Sequence, residues 1–167
     1  MQIGTAKYGV RKLDGSFDID KIRELGHSVA AFEIKLSQGA KPGKGGVLPA
    51  MKVTDEIASI RGIPAHQDSI SPNRHPDIAN IDQLLDQVML IRDVSGRPCG
   101  IKTAVGGWEF INELCEAVLR RGLDSAPDFL VIDGGEGGSG AAPQVLADHM
   151  ALPITEALPR VVDALIE

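Results

Sequence analysis

The chain has few cysteines, a deficit of positive charge and no long apolar run, and each shortage argues against a class of protein. Two cysteines among 167 residues provide no disulfide framework, so a reducing cytoplasm is the expected location. A net charge of −6 argues against a general nucleic-acid binder and against attraction to an anionic membrane surface. No apolar run approaches the length of a membrane span, so no membrane contact is expected.

Glycine and proline are abundant, with 19 and 10 residues, and they separate segments with strand and helix patterns. Asp18, Thr54 and Asn80 are suitable N-cap residues for three of the helices. Strands are predicted over residues 5–11, 30–36, 68–71, 99–105 and 128–133, and helices over residues 19–25, 55–61, 81–94, 108–121, 143–150 and 154–166. The patterns bury Ile60 and Leu119, and they bury both faces of the strand at 128–133.

The alternation of strands and helices, with glycine-rich loops after strands, predicts parallel β/α units in one α/β domain. Four or five strands are too few for a closed eight-stranded barrel, which needs about 250 residues. An open flavodoxin-like sheet fits the same pattern. From the residues alone, an open sheet and part of a barrel are both possible.

The segment KLSQGAKPGKGGVLP at residues 35–49 joins a strand end to a loop of glycines and lysines. It contains Lys35, Lys41 and Lys44 within ten positions, and four glycines that allow close backbone approach. Such a loop suits a phosphate or a carboxylate. A flexible, solvated basic loop is the alternative, and the composition of this segment does not separate the two.

Three stretches together resemble the flavin-dependent glutamate synthase family, in its FMN-binding barrel domain. They are FEIKLSQGAKPGKGGVLPAMKVT, SPNRHPDI at residues 71–78, and DGGEGGSGAAP at residues 133–143. The resemblance implies a partial (β/α)8 barrel over residues 1–167, with FMN as cofactor. It also places further barrel strands before Met1, and an iron–sulfur segment after Glu167, so a fragment of a longer protein is expected.

Lys102 and Lys35 are the two candidate catalytic lysines. Lys102 lies inside an apolar strand, where a lysine is costly unless it faces an anion or a carboxylate. Either it stabilises a reduced flavin, or it pairs with Glu33 or Asp133. Lys35 lies two positions from Glu33 on the same strand face, so those two residues could form a structural pair. The resemblance instead places Lys35 beside flavin and substrate.

Gln38, Lys41 and Arg61 match family positions that surround the carboxylates of 2-oxoglutarate. An arginine fork, a lysine charge and an amide suit such a ligand. The alternative for Arg61 is an exposed arginine that stabilises a helix C-terminus. The family commonly has glutamine where this chain has Val47, which leaves open a related 2-oxo acid or an N-substituted glutamate.

A second glycine segment follows the strand at 128–133 and precedes a helix. Backbone N–H groups there could hold phosphate or the polar edge of the flavin, and a tight packed turn is the alternative. The candidate cofactor-binding residues are Lys102, Gly134, Gly135, Gly137, Gly138, Ser139 and Gly140. His75 is a candidate proton donor, although a backbone-capping role is favoured, and no metal site is expected because no second ligand has suitable spacing.

The resemblance implies an oxidoreductase in which reduced FMN passes hydride to an imine formed from a 2-oxo acid, giving an amino acid such as L-glutamate. The expected partners are the small-molecule 2-oxo acid and an electron-donor subunit or ferredoxin. Self-association through exposed sheet edges is also expected of a partial barrel. Two alternatives remain open: a phosphate-ligand lyase or isomerase that uses Lys102, and a non-catalytic fragment.

Overall fold

A computed structural model describes residues 1–138, 140 and 142–166, and it contains a four-stranded parallel sheet and a small antiparallel pair. The strands are β1 (Gln2–Ile3), β2 (Phe32–Lys35), β3 (Val47–Leu48), β4 (Ser69–Ile70), β5 (Cys99–Ala104) and β6 (Leu130–Asp133). The helices are α1 (Ile19–Gly26), α2 (Asp55–Arg61), α3 (Ile81–Ser95), α4 (Glu109–Arg121), α5 (Gln144–His149) and α6 (Ile154–Ile166). This α/β architecture confirms the predicted fold class.

The main sheet has the strand order β1–β2–β5–β6, with every neighbouring pair parallel. Chain order and spatial order therefore run in the same direction across the sheet. A doubly wound open sheet reverses its order at a switch point, whereas a β/α barrel does not. The arrangement is that of a partial β/α barrel. β3 and β4 form a separate antiparallel pair, in which Val47 lies opposite Ile70.

One face of the sheet is apolar and covered by helices, because side chains alternate along each strand. Phe32, Ile34 and Ile101 are fully buried on this face. They pack in one core with residues of α1, α3 and α4, which include Ile22, Leu85 and Leu114. A second cluster joins α4, α6 and β6. The opposite face of the sheet carries Glu33, Lys35, Lys102 and Asp133.

The three predicted helix caps are confirmed in the structure. The side chain of Asp18 accepts a hydrogen bond from Lys21 N, that of Thr54 from Ile57 N, and that of Asn80 from Gln83 N. Each bond satisfies a backbone donor in the first turn of its helix. α2 and α3 then end at Gly62 and Gly96, both in the left-handed conformation.

The predicted strand over residues 5–11 is wrong. β1 is Gln2–Ile3, and the residues after it form turns closed by hydrogen bonds from Lys7 N to Gly4 O and from Val10 N to Lys7 O. The cause is local backbone conformation, since Lys7 has φ +54° and Gly9 has φ +84°. A strand cannot continue through positive φ values.

Three burial predictions are also wrong. Ile60 is 64% exposed, because the short helix α2 buries only Ala58. Leu119 is 75% exposed, because α4 turns its Ile111–Leu114–Val118 face inward. All four residues of β6 are only partly buried, since β6 is an edge strand of the sheet. Within the part of the chain that the structure describes, no helix is long and apolar enough to cross a membrane.

Candidate functional site

The candidate site lies at the carboxyl ends of β2, β5 and β6. Lys35 is the last residue of β2 and lies directly opposite Lys102 of β5 in the parallel register. Residues opposite each other on adjacent strands point to the same face, with strands about 4.8 Å apart. The structure therefore brings the two candidate catalytic lysines together on the face that the helices leave uncovered.

Asp133, the last residue of β6, supplies the carboxylate of the site. Its Oδ2 atom is 3.6 Å from Lys102 Nζ, and both side chains are about one-fifth exposed. Of the two carboxylate partners that the sequence offered Lys102, the structure selects Asp133. Glu33 instead accepts a hydrogen bond from Gln2 Nε2.

Positive charge is in excess at this end of the sheet. Burial, followed by repulsion from Lys102 and Lys41, lowers the pKa of Lys35, and the attraction of Asp133 only partly opposes this. Lys35 Nζ donates a hydrogen bond to Gln38 Oε1 over 3.0 Å, which holds both side chains in place. An anion beside Lys35 would relieve the repulsion among the lysines.

Gly39 fastens the loop after β2 to the loop after β6. Its backbone N–H donates to Asp133 Oδ2 over 2.8 Å. A Cβ atom at position 39 would lie 1.8 Å from the carbonyl oxygen of Gly134, so only glycine fits this close approach. The same carboxylate thus holds Lys102 and the glycine loop together.

A cavity of about 330 Å³ opens beside Lys35, whereas Lys102 and Asp133 lie outside its lining. Its wall combines the end of β2, the glycine–lysine loop, the turn after β1 and the segment after β4. The polar residues that line it include Lys35, Gln38, Lys41, Lys44, Tyr8 and Asn73. Three lysines and an amide around one hollow suit a ligand with carboxylate or phosphate groups.

The predicted substrate residues are only partly brought together. Gln38 and Lys41 line the cavity, as does Lys35. Arg61, at the end of α2, does not belong to the lining. Its guanidinium carbon lies 4.7 Å from the ring centroid of Tyr8, which does line the cavity. Arg61 is half-buried in this position, and not fully exposed as the alternative for it assumed.

The second glycine segment forms a packed turn over much of its described length. Gly135 N donates to Leu152 O, and Gly137 N donates to Gly134 O. Gly138 lies against Gln38, since a Cβ atom there would be 2.3 Å from Gln38 Nε2. The segment therefore borders the site through Gly138. A Cβ atom added at Gly140 would meet nothing within 4 Å, and Ser139 lies outside the described residues.

His75 contacts the end of β2 through its buried ring. The side chain is 3% exposed, and Nε2 lies 3.0 Å from the carbonyl oxygen of Lys35. The favoured backbone-capping role is therefore confirmed. Burial lowers the pKa of His75, and the nearby cation of Lys7 acts in the same direction while Asp77 opposes it. Lys7 and Asp77 form an ion pair of 2.9 Å beside it.

We expect His75 to make the free energy of unfolding depend on pH. The unfolded chain takes up a proton at the ordinary pKa of 6.5, whereas the folded pKa is lower. Stability is therefore complete above 6.5 and falls as the pH drops through that value toward the folded pKa. Urea unfolding at several pH values gives the free energy of unfolding, which should depend less steeply on pH in His75→Gln. His27→Gln, which makes the same substitution at an exposed position, is the matched control.

Two residues of the site were not anticipated from the sequence. Tyr8 was placed in a strand that the structure replaces with turns. Ser37 joins the loop after β2 to the end of β5, since its hydroxyl accepts a hydrogen bond from Ala104 N over 2.7 Å and lies 3.3 Å from Thr103 Oγ1. The described residues contain no group of three histidine, cysteine, aspartate or glutamate side chains that could hold a metal ion.

Comparison with known proteins gives consistent matches over the chain. Residues 1–167 match a family model described as a conserved region in glutamate synthase. The glutamate synthase large subunit-like protein YerD of Bacillus subtilis is 40% identical over 168 residues, which cover 99% of this chain and 31% of YerD.

Two further relatives carry the name glutamate synthase. The archaeal-type glutamate synthase [NADPH] of Thermotoga neapolitana is 40% identical over 131 residues, covering 77% of this chain and 25% of the relative. The archaeal glutamate synthase [NADPH] of Methanocaldococcus jannaschii is 41% identical over 131 residues, covering 77% and 24%. The chain thus spans less than a third of the length of these relatives.

Proposed function

The chain belongs to the glutamate synthase family, and from this premise we propose that it forms an FMN and 2-oxo acid site of an oxidoreductase that produces an amino acid such as L-glutamate. The observation that carries the proposal is the pairing of Lys35 and Lys102 beside a cavity lined by Gln38 and Lys41. Lys35 lines this cavity together with Lys41 and Lys44 of the glycine–lysine loop, and Lys102 lies next to Lys35 on the neighbouring strand without entering the lining. This arrangement supports the binding of two anionic ligands, FMN and the 2-oxo acid.

The residues at the strand ends fit a flavin. Lys35 and Lys102 form a cationic pair beside the carboxylate of Asp133, and burial together with repulsion from Lys102 lowers the pKa of Lys35. Such a pair suits the electron-rich edge of a flavin, whose reduced form is an anion. Gly138 borders the same side through its contact with Gln38. FMN, when bound, would supply the hydride chemistry.

The chain's own part is to bind and orient the acid. Lys41 offers a point charge, Gln38 offers an amide held by Lys35, and Lys44 adds a second cation at the cavity wall. Val47 offers no hydrogen bond and is 64% exposed on β3, opposite Ile70. Acid recognition is therefore assigned to Gln38 and Lys41, with Arg61 alongside, and 2-oxoglutarate or a related 2-oxo acid is the proposed substrate.

No observation favours the lyase or isomerase alternative. A Schiff-base or general-base lysine must be available as a free amine. Lys102 Nζ instead lies 3.6 Å from the carboxylate of Asp133. An electron-donor subunit or ferredoxin remains part of the proposal, since the reaction needs a source of electrons. A cytoplasmic location is also part of the proposal.

We expect Lys41→Met to weaken binding of 2-oxoglutarate by roughly tenfold or more, because a charge-assisted hydrogen bond contributes about 1.5–3 kcal/mol. Isothermal titration calorimetry on the protein measures the effect directly. Lys52→Met is the matched control, since Lys52 is an exposed lysine outside the cavity lining. Equal affinity in Lys41→Met and Lys52→Met would contradict the assignment of the cavity to the acid.

A further inference from the structure

Tyr8 lies between the cavity and Arg61. Its side chain forms part of the cavity wall, and the guanidinium of Arg61 stacks on its ring at 4.7 Å from the centroid. The two residues are 53 positions apart and come from the turn after β1 and the last turn of α2. Arg61 therefore meets the cavity through its contact with Tyr8.

The ring of Tyr8 is fixed at its far end. Its hydroxyl makes a short hydrogen bond with the hydroxyl of Ser69, which is buried, and Ser71 Oγ donates to it over 3.4 Å. Ser69 is part of β4, and Ser71 N bonds to Gly46 O at the end of the glycine–lysine loop. The hydroxyl thus links the turn after β1 to the antiparallel pair of β3 and β4 beside the cavity.

The backbone that carries Tyr8 is also fixed. Lys7 precedes it with φ +54° and is 4% exposed. Lys7 Nζ forms the ion pair with Asp77, donates to Gly15 O over 3.2 Å, and lies 4.7 Å from the ring centroid of Phe17. A buried cation with these partners resists movement, since separation would leave an unpaired charge. The ring is therefore a rigid platform.

We propose that Tyr8, whose side chain forms part of the cavity wall, is a positioning residue that holds the guanidinium of Arg61, which lies outside the lining, in place for the second carboxylate of a dicarboxylic 2-oxo acid. The proposal rests on the proposed function and names a specificity element within it. A guanidinium stacked on an aromatic face keeps its in-plane N–H donors free for a carboxylate. The stack also restricts a flexible side chain before the ligand arrives, which lowers the entropy lost on binding.

The test compares two acids of equal carbon number, 2-oxoglutarate and 2-oxopentanoate, which lacks the second carboxylate. Calorimetry gives the affinity ratio for the protein and for Tyr8→Phe, Tyr8→Leu, Arg61→Met and the double variant Tyr8→Leu/Arg61→Met. We expect the preference for 2-oxoglutarate to fall roughly fivefold in both Tyr8→Leu and Arg61→Met. The double variant should lose little more of this preference, because both substitutions disrupt the same stacked pair. Tyr8→Phe keeps the ring and should keep most of the preference.

The possible outcomes separate the inference from the proposed function. A reduced preference in Arg61→Met with an unchanged one in Tyr8→Leu would overturn the role of Tyr8 and leave the proposed function intact. An equal loss of affinity for both acids in Tyr8→Leu would indicate general damage to the cavity and would also overturn the role of Tyr8. An unchanged preference in Arg61→Met would remove Arg61 and Tyr8 together from recognition. Failure of the unsubstituted protein to bind either acid would remove the proposed function itself.

Discussion

Gly39→Ala is expected to destabilise the protein by about 2–3 kcal/mol and to disrupt the candidate site, because overpacking against backbone has costs of this order. The added Cβ atom would lie 1.8 Å from Gly134 O, and a backbone carbonyl cannot rotate away as a flexible side chain can. The loops after β2 and β6 must separate. The hydrogen bond from Gly39 N to Asp133 Oδ2 would then be lost, and Asp133 would no longer hold Lys102 in place.

Gly46→Ala is the matched control for this substitution. Gly46 belongs to the same loop, meets no atom within 4 Å of an added Cβ, and does not have positive φ. Its substitution should change the free energy of unfolding by no more than about 0.5 kcal/mol. Chemical denaturation of both variants measures the difference. Equal stability of the two variants would mean that the loops after β2 and β6 do not approach as closely as described.

Lys102→Met is expected to lower FMN affinity by roughly 10- to 100-fold, since it removes a partly buried cation and leaves Asp133 without its partner. An uncompensated carboxylate next to the proposed flavin site would repel an anion. The double variant Lys102→Met/Asp133→Asn should therefore recover part of the loss, because the amide oxygen can still accept from Gly39 N. Lys52→Met, at an exposed position outside the site, should bind FMN as the unsubstituted protein does.

No recovery in the double variant would indicate that Lys102 acts only through its own charge. A double variant that binds FMN more weakly than Lys102→Met would show that Asp133 is needed in its charged form. Both results can be read from the quenching of flavin fluorescence on binding. An unchanged affinity in Lys102→Met would remove Lys102 from the cofactor site.

Local signals predicted much of the fold. The caps Asp18, Thr54 and Asn80 act within their own helix, so their meaning depends on three or four neighbouring residues. The strand containing Lys102 and the loop beginning at Lys35 were likewise found from runs of apolar residues ending in glycine. The parallel sheet followed from the order of these segments, because parallel strands need crossover helices.

Contacts between distant segments could not be read from the sequence. The bond between Tyr8 and Ser69 joins residues 61 positions apart, and it depends on turns that positive φ at Lys7 creates. The partner of Lys102 was narrowed to Glu33 or Asp133 by charge alone. Both carboxylates lie on strands that neighbour β5, and only the contacts separate them, since Glu33 accepts a hydrogen bond from Gln2 Nε2 whereas Asp133 Oδ2 lies 3.6 Å from Lys102 Nζ. The stacking of Arg61 on Tyr8 had no sequence signal, because aromatic and cationic residues at such separations rarely meet.

The central claim is that cations from the ends of β2 and β5 form a site for FMN. Titration of FMN with the protein, followed by the quenching of flavin fluorescence, tests it most directly. We expect saturable binding of one FMN per chain, retained in Lys52→Met and strongly weakened in Lys35→Met and Lys102→Met. Absence of saturable binding, or binding with equal affinity in all four proteins, would contradict it.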